Sequence, residues 1–200
     1  MGEGKIDDHS HYPNPVPRNT QWGEGWRSGY LATMTVRTIL HYPDERLKRV
    51  AIPVTQFDNV LKEFVADILD TLNAAPGCDG LAAPQVNYFQ RIVVVDVSQR
   101  KGVTHHGRLI LINPEILDTQ GSTVGREGCL SVPDFTGNVQ RAERIQLRAR
   151  DAHGATREYD CEGYDARAVQ HELDHLDGLL FLDRLVSRKH DLFPRKVYKK

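Results

Sequence analysis

Residues Gln170-His171-Glu172-Leu173-Asp174-His175 constrain this chain more than any other stretch, because their spacing has meaning only on a helix. Residues four apart on an α-helix lie one turn above each other on the same face. His171 and His175 therefore present two imidazoles to one point, with Glu172 beside them on the open side of any cation they bind. The surrounding pattern is helical on its own terms. Apolar residues recur at Ala166, Val169, Leu173 and Leu176, Asp165 is placed as an N-cap, and Gly178 sits where a C-terminal stop belongs. A helix whose histidines are only solvated or hydrogen-bonded is the plain alternative.

Two hundred residues suit one domain with some ornament. A formal net charge of −1 argues against general affinity for nucleic acid or an anionic membrane, and no sequence-specific nucleic-acid binding is expected. No apolar run approaches the roughly 20 residues that span a bilayer, so no membrane partner is expected. Three widely spaced cysteines without a secretion signal make no disulfide framework and fit a reducing cytoplasm.

Residues 1–33 read as an appended, flexible extension: they are rich in Gly, Pro, Asn, Ser and Arg, show no period, and hold Trp22 and Trp26. A docked arm using the two Trp is the alternative. Residues 34–200 read as the catalytic domain, with a basic tail from about residue 187. An extended piece at Val36–Leu40 leads into a turn at Tyr42-Pro43-Asp44. Residues 59–74 predict an amphipathic helix, with Leu61, Phe64, Val65, Ile68, Leu69 and Leu72 at helical spacing, Asp58 as cap and Pro76-Gly77 as stop. Residues 78–86, small and apolar, would let a ligand or another backbone approach closely. Residues 91–97 and 109–112 predict strands, and residues 145–150 and 156–160 a β-hairpin around Asp151-Ala152-His153-Gly154. Strand runs followed by one long helix imply an α+β fold, antiparallel or mixed sheets packed around a central metal-binding helix. Arg188, Lys189, Arg195, Lys196, Lys199 and Lys200 against only Asp191 make a basic tail that reads as solvated, with contact to RNA or an acidic surface as the alternative.

Two histidines need a third protein ligand. Zinc peptidases with this helix take it from downstream, but Glu172 is the last glutamate and Phe181 occupies the position of the third histidine in H-E-x-x-H-x-x-G-x-x-H. His190 is a possible substitute, and a zinc peptidase is kept as a rival reading. Upstream, Cys129 in Glu127-Gly128-Cys129-Leu130-Ser131, before an expected turn at Val132-Pro133-Asp134, is the better candidate: a thiolate completes a Cys/His/His set and leaves a fourth position for water. Cys161 reads as a small buried hydrophobe and Cys78 as an oxidisable thiol near the site.

Gly80-Leu81-Ala82-Ala83-Pro84-Gln85, Glu127-Gly128-Cys129-Leu130-Ser131 and Gln170-His171-Glu172-Leu173-Asp174-His175, in that order, resemble the three signature motifs of the peptide deformylase family. The resemblance runs from about Met34 to Leu185. It departs at the first motif, usually begun Gly-x-Gly, where Cys78 replaces the first glycine and Asp79 fills the middle position, which bears on side-chain preference. The resemblance implies removal of the formyl group from the N-terminal formylmethionine of new bacterial polypeptides, releasing formate. It implies that Cys129, His171 and His175 hold one divalent ion, natively Fe2+, with Zn2+, Ni2+ or Co2+ able to replace it. Glu172 would shuttle the proton, while Gln85 and the Leu130 backbone N–H would serve the oxyanion. Gly80 and Gly128 would border a substrate that pairs as a strand, Tyr164 would line the methionine pocket, and Arg141 would orient the loop or bind peptide carbonyls unless it is a surface charge. The implied partners are formylated nascent chains and the ribosome near its exit tunnel. A formyl-peptide or ribosome binder without turnover is the rival from another class, which intact Glu172, Gln85 and Cys129 argue against.

Overall fold

The computed structural model describes residues 35–196. The expected extension over residues 1–33 lies outside the described residues, as do Lys199 and Lys200.

The first long element is α1 (Asn59–Asn73), begun by the Asp58 carboxylate accepting the Leu61 N–H and ended before Gly77, whose φ of +74° suits glycine. Then come β1 (Gly80–Ala82), a 3-10 turn at Ala83–Val86, β2 (Ile92–Asp96) and β3 (Arg108–Gln120). A hairpin follows, β4 (Thr123–Cys129) and β5 (Val132–Arg141), then a second, β6 (Arg144–Arg150) and β7 (Thr156–Glu162). Helix α2 (Gly163–Leu176) carries the two histidines, and β8 (Leu192–Pro194) ends the described chain.

Five strands form an antiparallel sheet in the order β1-β2-β3-β6-β7, and three more the order β4-β5-β8. Alternation along β2 shows how the larger sheet is held. Ile92 and Val94 pack with Phe64, Val65 and Ile68 of α1, while Val93 and Val95 pack with Val169, Leu173 and Leu176 of α2. A strand covered on both faces reads as one apolar run, which is what residues 92–95 are. The smaller sheet has its own core of Val132, Val139, Leu180 and Phe181, and Cys129 belongs to it. Helix α2 thus brings its histidines to a thiol supplied by the other sheet. No helix among the described residues is long and apolar enough to cross a membrane.

Several local expectations are corrected. Asp165 does not cap α2: the helix starts two residues earlier, with Glu162 at the N-cap position and Gly163 at φ +57°, and Asp165 faces His106 instead. The turn after Cys129 is Leu130-Ser131, while Val132-Pro133-Asp134 already belongs to β5. The strand expected at 109–112 continues to Gln120 through a register shift at Asn113-Pro114. The tail is not simply solvated, because β8 pairs with β5 at Phe135–Gly137 and Arg195 donates to the Cys129 carbonyl at 3.2 Å.

Candidate metal centre

His171 and His175 stand one turn apart on α2 with ring centroids 5.1 Å from each other. Cys129, the last residue of β4, brings its Sγ to 3.2 Å from His175 Nε2. One ligand atom each from Cys129, His171 and His175 lies within 4.8 Å of the others, and all three residues are buried. His190 is exposed and stands outside this group, so the downstream ligand of a zinc peptidase is missing.

The charges around the group follow from its neighbours. Burial alone would raise the Cys129 thiol, yet His175 and His171 hold it well below a thiol's ordinary value. Burial likewise opposes a charged His171, but Cys129 and Glu127 hold it well above the ordinary imidazole value. A buried thiolate that favours a proton on the His171 imidazole is a site that asks for positive charge, and a divalent cation meets that demand. One thiolate and two imidazoles are a donor set that fits such an ion.

An outer partner fixes His171. His171 Nδ1 lies 2.9 Å from Glu127 Oε2, which leaves Nε2 for the cation side. Glu127 is forked onto Arg141, with Nε and Nη2 each 3.0 Å from its oxygens, and also accepts from Arg167 Nη1 at 2.8 Å. Arg141 Nη1 pairs with Asp174, and Asp174 with Arg184. Burial works against a charged Glu127, but His171 and Arg141 keep its carboxyl well below the usual carboxylate range. The expectation that named Arg141 allowed for a surface charge; it is 6% exposed. Glu127, Asp174 and Arg167 were missed as functional residues, although the motif around Cys129 contained the first and the helix motif the second.

Glu172 is buried, and its Oε2 has no hydrogen-bond partner among the described residues. Burial pushes its carboxyl up to about 7, with His171 and His175 pulling the other way. A Cβ on Gly80 would sit 2.7 Å from Glu172 Cγ and Oε1, so β1 must carry glycine there for the carboxylate to fit. Gln85, 2% exposed, accepts the Ala82 N–H at Oε1 and turns Nε2 to Ser131 Oγ at 3.1 Å and Cys129 Sγ at 3.4 Å. Leu130 follows the ligand cysteine in the turn. Gly128 pairs with Thr136, and a Cβ on it would lie 2.5 Å from Arg195 Nη2. The Tyr164 hydroxyl donates to Asp79 at 2.8 Å, and Asp79 is also forked by Arg100, whose guanidinium lies over the Tyr164 ring. Cys78 donates to the Gly80 carbonyl, and burial, with Glu172 next, pushes its thiol up to about 12, so it is no reactive thiolate.

A buried thiolate, two imidazoles one helical turn apart and an adjacent buried carboxylate define the class, a metal-dependent hydrolytic centre. The family model for polypeptide deformylase matches residues 36–191. A peptide deformylase of Alkalilimnicola ehrlichii is 48% identical over 166 residues, 83% of this chain and 91% of that one. The crystal structure of a Legionella pneumophila peptide deformylase is similar at a TM-score of 0.71 and 41% identity, covering 78% of this chain and 89% of that one. A Met-Ala-Ser-bound peptide deformylase of Acinetobacter baumannii matches at 0.71 and 32%, covering 76% of this chain and 100% of that one. The chain belongs to the peptide deformylase family.

Proposed function

We propose that Cys129, His171 and His175 hold the catalytic cation, natively Fe2+, and that Glu172 is the proton shuttle of the reaction. The activity is hydrolysis of the N-formyl group at the N-terminus of new polypeptides. The observation that carries the assignment is the convergence of the three ligand atoms within 4.8 Å, beside the unpartnered Glu172 oxygen. When bound, the cation supplies Lewis acidity, polarising water and the formyl oxygen at neutral pH. Glu172 takes a proton from the attacking water and gives it to the leaving amine as the C–N bond breaks, so that formate and a free N-terminus result. Burial favours the protonated carboxyl, which suits Glu172 to hold the proton between the two transfers. Gln85 Nε2 and the Leu130 backbone N–H donate to the formyl oxygen as it gains charge.

The substrate backbone adds along Gly80 and Gly128. In support, β1 and β4 are the terminal strands of their sheets, each with one side unpaired by another strand among the described residues. The Met-Ala-Ser held by the Acinetobacter relative fits such a site. Tyr164, with Asp79 and Arg100 locked to it, borders the methionine pocket. Arg141 acts through Glu127 and is a positioning residue. Residues 34–200 form the catalytic domain, the exposed Arg188, Lys189 and Lys196 meet the ribosome, and the protein works in the cytoplasm.

Iron-loaded full-length protein kept free of oxygen should release formate from formyl-Met-Ala-Ser. No formate under iron, nickel or zinc loading would overturn the reading. Two variants check its parts. Gly80→Ala should displace Glu172 and lower kcat about 100-fold with the circular dichroism spectrum unchanged. Glu127→Gln should weaken metal affinity by roughly 10–100-fold in chelator competition, because His171 loses its anionic partner.

A further inference from the structure

We propose that His106, Cys161 and Asp165 form a second cation site, separate from the catalytic one and selective for Zn2+ or a similar borderline divalent ion. One ligand atom from each lies within 4.8 Å of the others. They come from three elements: the loop between β2 and β3, strand β7 and the first turn of α2. His106 Nδ1 is 2.8 Å from Asp165 Oδ2 and 3.9 Å from Cys161 Sγ. A tetrahedral zinc ion sets such donor atoms about 3.4–3.6 Å apart, between the separations that His106 makes with Asp165 and with Cys161.

A second observation points to a ligand. Asp165 is 1% exposed, yet its Oδ1 has no hydrogen-bond partner among the described residues. A carboxylate oxygen left bare in the interior is costly, and a cation between Asp165 and Cys161 would satisfy it. Cys161 is equally buried, whereas the His106 side chain is 35% exposed, which opens a path for the ion and a position for water. Thiolate, imidazole and carboxylate together favour zinc-like ions over Ca2+ or Mg2+. Asp165 lies six residues before His171, about 9 Å along the helix axis, so no ligand is shared. Occupancy would tie the β2–β3 loop to the start of the helix that carries the catalytic histidines.

The ordinary alternative is a His106–Asp165 ion pair with Cys161 as packing, and it takes up no metal. Full-length protein with its catalytic centre filled by Ni2+ is equilibrated with Zn2+ and a weak chelator, and bound zinc is measured by atomic emission. His106→Gln and Cys161→Ser should each bind one zinc fewer per chain than the unmodified protein, with formate release retained. Histidines of residues 1–33 contribute equally to all three samples and cancel in that difference. Equal zinc in the unmodified and His106→Gln proteins would overturn the proposal, and that exposed position keeps the test decisive even where Cys161→Ser fails to fold. As a second readout, fully cobalt-loaded protein should lose about half its thiolate-to-metal charge-transfer absorbance in Cys161→Ser; an unchanged band would also overturn it.

Discussion

Glu172→Gln should lose turnover while keeping its metal, with kcat on formyl-Met-Ala-Ser lower by about 10³-fold. Glutamine has nearly the same shape, so it fits the space against Gly80 that admits the carboxylate and leaves Cys129, His171 and His175 undisturbed. What disappears is the group that can both accept and return a proton, a role worth roughly 10²–10⁴-fold. Formate release measured beside metal content separates the two effects. Turnover within tenfold of the unmodified protein, at equal metal content, would remove Glu172 from the reaction and pass the proton to solvent or another group.

The parts that local pattern could reveal were those with a period. Helix α1 was legible because Leu61, Phe64, Val65 and Ile68 keep helical spacing and Asp58 caps them, and these are local properties. Helix α2 was legible because two imidazoles at i and i+4 have meaning only on a helix, and the expected meeting of Cys129 with them is a proximity the fold does create. Strands β4 and β5 were not, for a physical reason. Gly125 and Gly128 look like turn residues, but Gly125 is there because a Cβ would lie 2.8 Å from the Arg167 guanidinium, a contact made by the fold 42 positions downstream. Pro133 reads as a turn, yet it sits where the β4–β5 register shifts, a place in a sheet that tolerates a missing N–H. Strand β8 is three residues whose partner lies far back in β5, so nothing local announces it. Asp165 satisfied the capping rule in composition, but its carboxylate serves a loop histidine instead. The charged shell was the least legible part, since nothing in a linear pattern says which glutamate or arginine will be buried.

Arg141→Leu should destabilise the protein by about 3–5 kcal/mol, which for a domain of this size lowers the melting temperature by roughly 10 °C. Arg141 and Glu127 side chains are each 5% exposed and Asp174 8%, so solvent screens none of these pairs. Leucine fills much of the volume but removes the cation between two buried carboxylates. Asp174 keeps Arg184, itself half exposed, and Glu127 keeps Arg167 and His171, so the loss stays short of two abandoned charges. The pH dependence gives a sharper check. Glu127 is held below its ordinary 4.5 in the folded state, so it adds stability that is present above that value and lost as pH falls toward the depressed folded one. Without Arg141 that depression shrinks, and the gap in melting temperature between Arg141→Leu and the unmodified protein should narrow as pH drops below about 4.5, at equal metal loading. A gap that stays constant through that range would mean the arginine acts by packing alone, and His171 would then owe its orientation to Glu127 without help from the charge behind it.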